Sequence, residues 1–244
     1  MDEEKSDLEN EAITGQISIG EEKSEAIAHK DSALKRLDIS FLKHIELQEY
    51  KKTHLLSYWL KDFANYHDEE KAFNPASLKT FKRGDVIKAN LGFNIGNELG
   101  GLHYCVVLDK KDNPYSGVLN VVPLSSVKEN KIYHQHLCVD LGDELFLLLN
   151  EKLKKKNQEI TDYVATIKPI QDNIDIGLLL RKIQHLEKMR EEIARMKHGS
   201  IAYVNQITTI SKQRIFRTPI LSGIKLSSES LDALDKKIIE LFTK

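Results

Sequence analysis

The chain has 244 residues, 41% apolar and 30% charged, with 36 basic and 37 acidic side chains and a formal net charge of −1. That composition supports a globular core and excludes a uniformly basic coat for nucleic acid, though not a local basic patch. Two cysteines, Cys105 and Cys138, exclude a disulfide scaffold and a CxxC zinc site. No uncharged apolar run approaches the ~18 residues of a membrane helix and Met1-Asp2-Glu3-Glu4 does not read as a signal peptide, so a cytoplasmic protein is expected.

Residues 1–40 carry 11 acidic and 5 basic side chains and no aromatic one. A stretch that buries so little does not offset its ordering entropy, which predicts a loose or weakly helical acidic tail. Over 41–75, Leu42, Ile45, Leu56, Leu60 and Phe63 recur at helical spacing beside Trp59. This predicts an amphipathic helix whose stripe packs, and Tyr58, Trp59 and Tyr66 are read with it rather than as a stacking platform for bases. Asn74-Pro75 then marks a loop.

Between 79 and 142 the pattern becomes β-rich. Val86-Ile87, Tyr104 to Leu108, Val118 to Leu124 and Leu137-Cys138-Val139 are short runs separated by turn signals at Gly92 to Gly101 and Asp112 to Gly117. They predict a compact antiparallel barrel or curled sheet rather than alternating β/α units.

Residues 143–198 are read as two amphipathic helices, an antiparallel hairpin inserted into the sheet domain. Leu149, Leu153, Ile160, Tyr163 and Ile167 form one stripe, ended by Pro169. After Asp172-Asn173, a second stripe runs from Ile176 through Leu186 to Met196, and His198-Gly199 ends it. Lys152, Lys154, Lys155 and Lys156 are the one concentrated basic feature, with a solvated helix face as the default reading.

Residues 199–244 return to strands at Ile201 to Val204 and Gln206 to Ile210, then a helix from about Ser228 to Phe242 behind Ser227-Ser228. Lys212, Arg214, Arg217 and Lys225 form a strip without an acidic residue. Arg214 and Arg217, flanking Phe216, suit a phosphate backbone.

Four segments in order resemble the MazF/PemK toxins of bacterial toxin–antitoxin systems. Lys82-Arg83-Gly84-Asp85-Val86 resembles their first strand. Gly96-Asn97-Glu98-Leu99-Gly100-Gly101-Leu102-His103-Tyr104 resembles their "GxExGGxRP" loop, and Val121-Val122-Pro123-Leu124-Ser125-Ser126 their "VxPITS" strand. Asn205 to Ile215 resembles "EQIRTIDKxRI", with the expected helix after it. The resemblance covers 81–140 and 199–242.

It implies an SH3-like antiparallel β-barrel, usually a homodimer, that cuts single-stranded RNA without metal or other cofactor. A cognate antitoxin neutralises it, operator DNA is contacted only through the antitoxin complex, and no membrane partner is implied. The family's catalytic arginine and its threonine or serine fall on His103 and Ser125. A second family arginine falls on Thr208. RNA cleavage by the ribose 2′-OH needs a base, an acid and donors to the phosphorane. An imidazole, with an ordinary pKa of ~6.5, serves as base and acid near neutrality. His103 and Ser125 are therefore the catalytic candidates, with Arg83, Asn97, Glu98, Ser126, Gln206, Thr209 and Arg214 as substrate-binding candidates. Gly96, Gly100 and Gly101 suit either a lid over RNA or an ordinary hairpin loop.

His134 and His136 alternate along the expected fourth strand and are read as surface or interface groups, not a metal site. Cys105 and Cys138 read as core thiols. No triad is indicated for a serine hydrolase. The expected fold is thus α+β, a MazF/PemK/CcdB-like barrel with a helical-hairpin insertion and an N-terminal helical extension. Two functions stand open: an endoribonuclease toxin, or a module that lost two arginines and now only binds nucleic acid or a partner protein. A third, self-inhibition, pairs the acidic residues 1–40 with the strip from Lys212 to Lys225.

Overall fold

The computed structural model of the chain describes residues 2–128, 133–167, 176–196, 199–216 and 219–244. Two compact units are formed, Met1–Leu60 and Lys61–Lys244. The first consists of α1 (Asp2–Glu46) and the opening turns of α2 (Tyr50–Glu69). Helix starts at Asp2, where composition leaves a loose or weakly helical tail open. The segment lacks proline and is rich in Glu, Ala, Lys and Leu, so local propensity favours helix even where little apolar surface is available to bury.

The single helix expected over 41–75 is broken. Gln48 takes a φ of 59°, and the amides of Gln48 and Glu49 donate to the carbonyls of Ile45 and His44 at 2.9 and 2.8 Å. These bonds satisfy carbonyls left open at the end of α1. His44 Nδ1 lies 2.6 Å from Glu49 Oε2 across the turn, and that contact holds the Glu49 carboxyl below its ordinary range. Leu42 and Ile45 of the expected packing stripe are exposed.

The second unit is built on an antiparallel sheet: β1 (Val86–Asn90), β2 (Leu102–Val107), β3 (Val118–Ser126), β4 (Val139–Asp140), β5 (Ser200–Ala202) and β6 (Thr208–Ser211). The order is β1-β2-β3-β5-β4, with β6 also paired to β3. The fold is α+β, as expected, but the sheet does not close into a barrel. β6 gives way to a 3-10 turn, Lys212–Arg214, and beyond it the described residues meet β1 and its leading edge by isolated bridges, Ala89 to Ile215 and Asp85 to Lys225, rather than by a strand. The expected strand at Leu137 to Val139 is the shorter β4, and the one expected over Gln206 to Ile210 starts later because Val204–Gln206 is a 3-10 turn.

β3 is the hub. Its partners are β2 at Val121 to Pro123, β6 at Val118 to Val121 and β5 at Leu124 to Ser126. Residues 121–124 are buried without interruption, because both faces of the strand are covered and neither tolerates a polar alternation. Val122 and Leu124 enter one core with Val106, Leu145, Leu149, Met189 and Leu234. Leu119 and Val121 enter the other with Ile87, Ala89, Cys105, Val107 and Ile210. Both cysteines are free and buried, consistent with core thiols.

Helices cover the first core. α3 (Glu144–Ile167) and α4 (Ile176–Arg195) run antiparallel, since Asn157 of α3 meets Arg190 of α4 at 3.1 Å while Tyr163, further along α3, lies under Lys182, further back on α4. The expected breaks at Pro169 and Asp172-Asn173, and the terminal His198, fall outside the described residues. α5 (Ser228–Phe242) starts where expected: Ser227 caps it by accepting from the Ser230 amide at 3.2 Å. Gly84 lies beneath this helix at a φ of 86°, and a Cβ there would meet Leu231 Cδ1 at 2.9 Å. Among the described residues no helix is long and apolar enough to cross a membrane.

Candidate functional site

On the second core's side of the sheet, a groove of about 620 Å³ opens between the loop after β1 and the turn before β6. Asn97, Glu98, Pro123, Gln206, Thr208 and Arg214 are among its walls. The loop side is held by local polar chemistry. Asn90 Oδ1 accepts from the Gly92 amide at 3.0 Å, and Asn94 Nδ2 donates to the Leu99 carbonyl at 2.7 Å. Gly100 allows the loop to fold onto itself, for a Cβ there would stand 2.7 Å from the Gly92 carbonyl oxygen. Gln206 then clasps it from the opposite wall: its Oε1 accepts from the Leu99 amide at 2.6 Å and its Nε2 donates to the Asn97 carbonyl at 3.1 Å. A loop tied this way reads as a fixed wall rather than a lid.

His103 stands next to this groove. It pairs with Ala89 on β1, and the ladder joining β2 to β3 ends at the Cys105–Pro123 pair. Beyond that pair the strands diverge, β3 turning to β5 and β2 staying with β1. His103 Nδ1 lies 2.7 Å from the Leu124 carbonyl oxygen. A carbonyl only accepts, so Nδ1 carries a proton, and in the neutral ring the lone pair is on Nε2. Side chains alternate along a strand, so His103 shares a face with Cys105 and Ala89. Leu91 and Pro123, its diagonal neighbours on that face by register, both line the groove. His103 itself is half-buried. Ser125 continues the same face of β3 from Pro123 and is half-buried, while Ser126 is exposed and lends its carbonyl to the Tyr133 hydroxyl at 3.2 Å.

Arg214 is the cation the structure brings to this place. Its Nε donates to the Asn90 carbonyl at 2.7 Å, and Asn90 is the β1 neighbour of the residue paired with His103. Burial lowers the pKa of the guanidinium, while Tyr66 and Cys105 act on it in the opposite direction. Burial also pushes the Cys105 thiol up to about 12, against the pull of Arg214. Arg214 lines the groove together with Leu91 and Pro123, the diagonal neighbours of His103 by register.

Other expected site residues are elsewhere. Arg83 is tied to the far end of β2, where Nη1 donates to the Leu108 carbonyl at 2.7 Å and Nη2 pairs with Asp235 of α5. Thr209 points to the opposite face from Thr208 and donates to Asn120 Oδ1 at 2.7 Å. Lys212 is not part of an open basic strip: its ammonium is buried against Asp112 at 2.6 Å. Arg217 lies outside the described residues. His134 and His136 occupy a turn rather than a strand, though their rings come within 5.5 Å. Among the described residues no group of three or more His, Cys, Asp or Glu is arranged to hold a metal.

Asn90 and Tyr66 were not singled out for this site by their residue types. Asn90 Nδ2 donates to Asp62 Oδ2 at 2.9 Å, and Tyr66 lends its carbonyl to Gln213 Nε2 at 2.8 Å. Both brace the turn that carries Arg214. The only local signal is Asn90 at the end of a strand just before Leu91-Gly92, a pattern of loop-closing asparagine.

No curated protein matches the chain. A family model described as PemK-like, MazF-like toxin of type II toxin-antitoxin system matches residues 82–193. The match contains three of the four motif segments and the α3–α4 hairpin up to residue 193, and stops short of the segment that carries Gln206 and Arg214. Over residues 82–193 the chain is thus similar to the PemK-like, MazF-like toxins of type II toxin–antitoxin systems.

Proposed function

We propose that the protein is an endoribonuclease toxin that cleaves single-stranded RNA without a metal, through His103. In this reading the strand lies along the groove, with a phosphate near Arg214. His103 Nε2 takes the proton of a ribose 2′-OH, and the 2′-oxygen bonds to the adjacent phosphorus. The bond from phosphorus to the 5′-oxygen breaks, and the imidazolium returns the proton to that oxygen. The products are a 2′,3′-cyclic phosphate and a 5′-hydroxyl end. Ser125 donates to a phosphoryl oxygen, and the Arg214 guanidinium balances the phosphorane's charge.

The observation that carries this reading is the bond from His103 Nδ1 to the Leu124 carbonyl. It leaves Nε2 as a base in an orientation fixed by the backbone, beside a groove that holds an arginine. Asn97, Glu98 and Gln206 act as wall residues, and Gln206 serves substrate binding by holding the loop. The open, curled sheet is taken as a variant of the family's SH3-like barrel, acting as a homodimer and neutralised by an antitoxin through which alone operator DNA is met.

The test is cleavage of a long single-stranded RNA in the presence of EDTA, comparing wild type with His103→Ala and His103→Gln. Cuts at a recurring short sequence, ending in cyclic phosphates and lost by at least ~100-fold in both variants, are expected for a general acid–base group. Intact RNA after incubation with folded wild type would favour the binding-module reading instead, whose support is the replacement of two family arginines by His103 and Thr208.

A further inference from the structure

The α3–α4 hairpin carries a second groove of about 620 Å³, on the helix-covered side of the sheet. Its walls hold Lys152 and Lys156 from α3, and Arg181, Lys182 and His185 from α4, against one carboxylate, Glu159. That carboxylate is taken up by Lys156 at 2.6 Å. Lys152 is fixed at the groove's edge, donating to the carbonyls of Ile220 and Ser222 at 2.8 and 2.6 Å. Five basic groups facing one space repel each other. Burial first, then Lys156 and Lys79, lowers the pKa of Lys152, and burial first, then Lys152, Lys156 and Lys188, lowers that of His185. A fold holds cations together in this way at a cost that an anion relieves.

We propose that this groove is a second phosphate-binding site for the single-stranded RNA that the toxin cuts, an exosite holding the strand beyond the cleavage groove. The inference rests on the reading given above as the function. Three features favour an extended RNA over an acidic peptide. Lys152 and Lys156, like Arg181 and His185, are one helical turn apart, about 6 Å along the axis, a spacing comparable with that of successive phosphates in a stretched strand. A depression meets the hairpin groove at Ser222 and is lined also by Ile215 and Phe216, which follow the cleavage groove's Arg214 in the chain. In that depression Phe216 is exposed, beside Lys79 and Lys88. An exposed aromatic ring beside cationic groups is an arrangement that stacks a base of a single strand.

The experiment uses the full chain and two labelled oligouridylates, one long and one just long enough to fill the cleavage groove. Arg181→Glu with Lys182→Glu is compared with wild type over a salt series. Removing two phosphate contacts should weaken the long RNA about tenfold and flatten the salt slope by about 1.4. Binding and cutting of the short RNA should stay unchanged. Because Lys182 packs over the Tyr163 ring at 4.6 Å, a second variant, Lys156→Gln with Arg181→Gln, guards against a fold defect, and circular dichroism checks both. Equal affinity of wild type and both folded variants for the long RNA overturns the exosite. So does loss of polyglutamate binding with RNA binding kept, which would assign the groove to an acidic protein segment. If wild type neither binds nor cuts either RNA, the nuclease reading fails, and the exosite with it.

Discussion

The corner that holds Lys212 and the groove that holds Arg214 lie at the two ends of one 3-10 turn, and they use their cations in opposite ways. The Lys212 and Asp112 side chains are each 1% exposed and bonded to each other. Lys212 Nζ also donates to the Asn113 carbonyl at 3.0 Å, and Asp112 Oδ2 accepts from the Phe81 amide at 3.0 Å. Arg214 meets a backbone carbonyl and lines a groove open to solvent. The difference teaches that a basic residue in a family motif is assigned its role by the carboxylate within reach. Where the two are bonded, as Lys212 and Asp112 are, the cation holds the fold; Arg214, bonded to a backbone carbonyl, lines an open groove instead. Arg83, joined to Asp235, follows Lys212.

The largest expected effect that tests this comparison is on Lys212→Met. Removing one member of a buried pair leaves Asp112 charged and without its counter-ion, at a cost of about 3–5 kcal/mol in urea unfolding. Cleavage per folded molecule should be unchanged. Arg83→Ala comes next: it strips a charged donor from the Leu108 carbonyl and from Asp235, for about 1.5–3 kcal/mol, again with the cut pattern intact. Arg214→Lys should do the reverse. It retains the charge and loses the planar fork, so cleavage should fall about tenfold, equivalent to about 1.4 kcal/mol, with the unfolding midpoint nearly constant. A nuclease indifferent to Arg214→Lys but sensitive to Arg83→Ala would reverse the assignment.

The smallest effect concerns pH. Burial, then Lys156 and Lys79, lower Lys152 to about 8 from its ordinary 10.5. Between those values the unfolded chain binds more protons at this side chain than the native one. Stability should therefore rise from about pH 8 toward pH 10, the penalty being fully present below pH 8. Solvent screening of a part-exposed amine keeps the gain to order 1 kcal/mol or less. Thermal unfolding of wild type against Lys152→Met over pH 7–10 checks it, since the substitution should remove the rise. Above the ordinary pKa of tyrosine, ~10, Tyr104 acts the other way. Burial and then Glu192 raise its phenol, so the native state retains a proton that the unfolded chain loses.

Much of the fold was legible where local rules operate alone. Ser227 and the apolar spacing behind it mark α5, because a cap and an amphipathic stripe are read within a few residues. The two stripes of the hairpin, and the run through Val121-Val122-Pro123-Leu124 as a buried strand, follow from periodicity in the same way. The composition left the tail open between loose and weakly helical because a burial argument says nothing of helix propensity, and the break at Gln48 was missed because the apolar stripe continues across it. His103 and the loop from Gly96 to Gly101 were singled out through their motif, while Asn90 was not, since its role as brace depends on Asp62 from a distant helix.

What the amino-acid order determined by itself was the set of elements and the chemistry on offer: an imidazole where the family has an arginine, a serine on the next strand, and cations clustered in two segments. Tertiary structure decided which of these meet. The divergence of β2 and β3 after Pro123 gives His103 its carbonyl partner, the pairing of Thr208 rather than Thr209 with the groove face follows from register, and Asp112 removes Lys212 from the surface. Each of these depends on contacts between residues far apart in the chain, whose energies come from burial and charge pairing, and neither is visible in a local window of sequence.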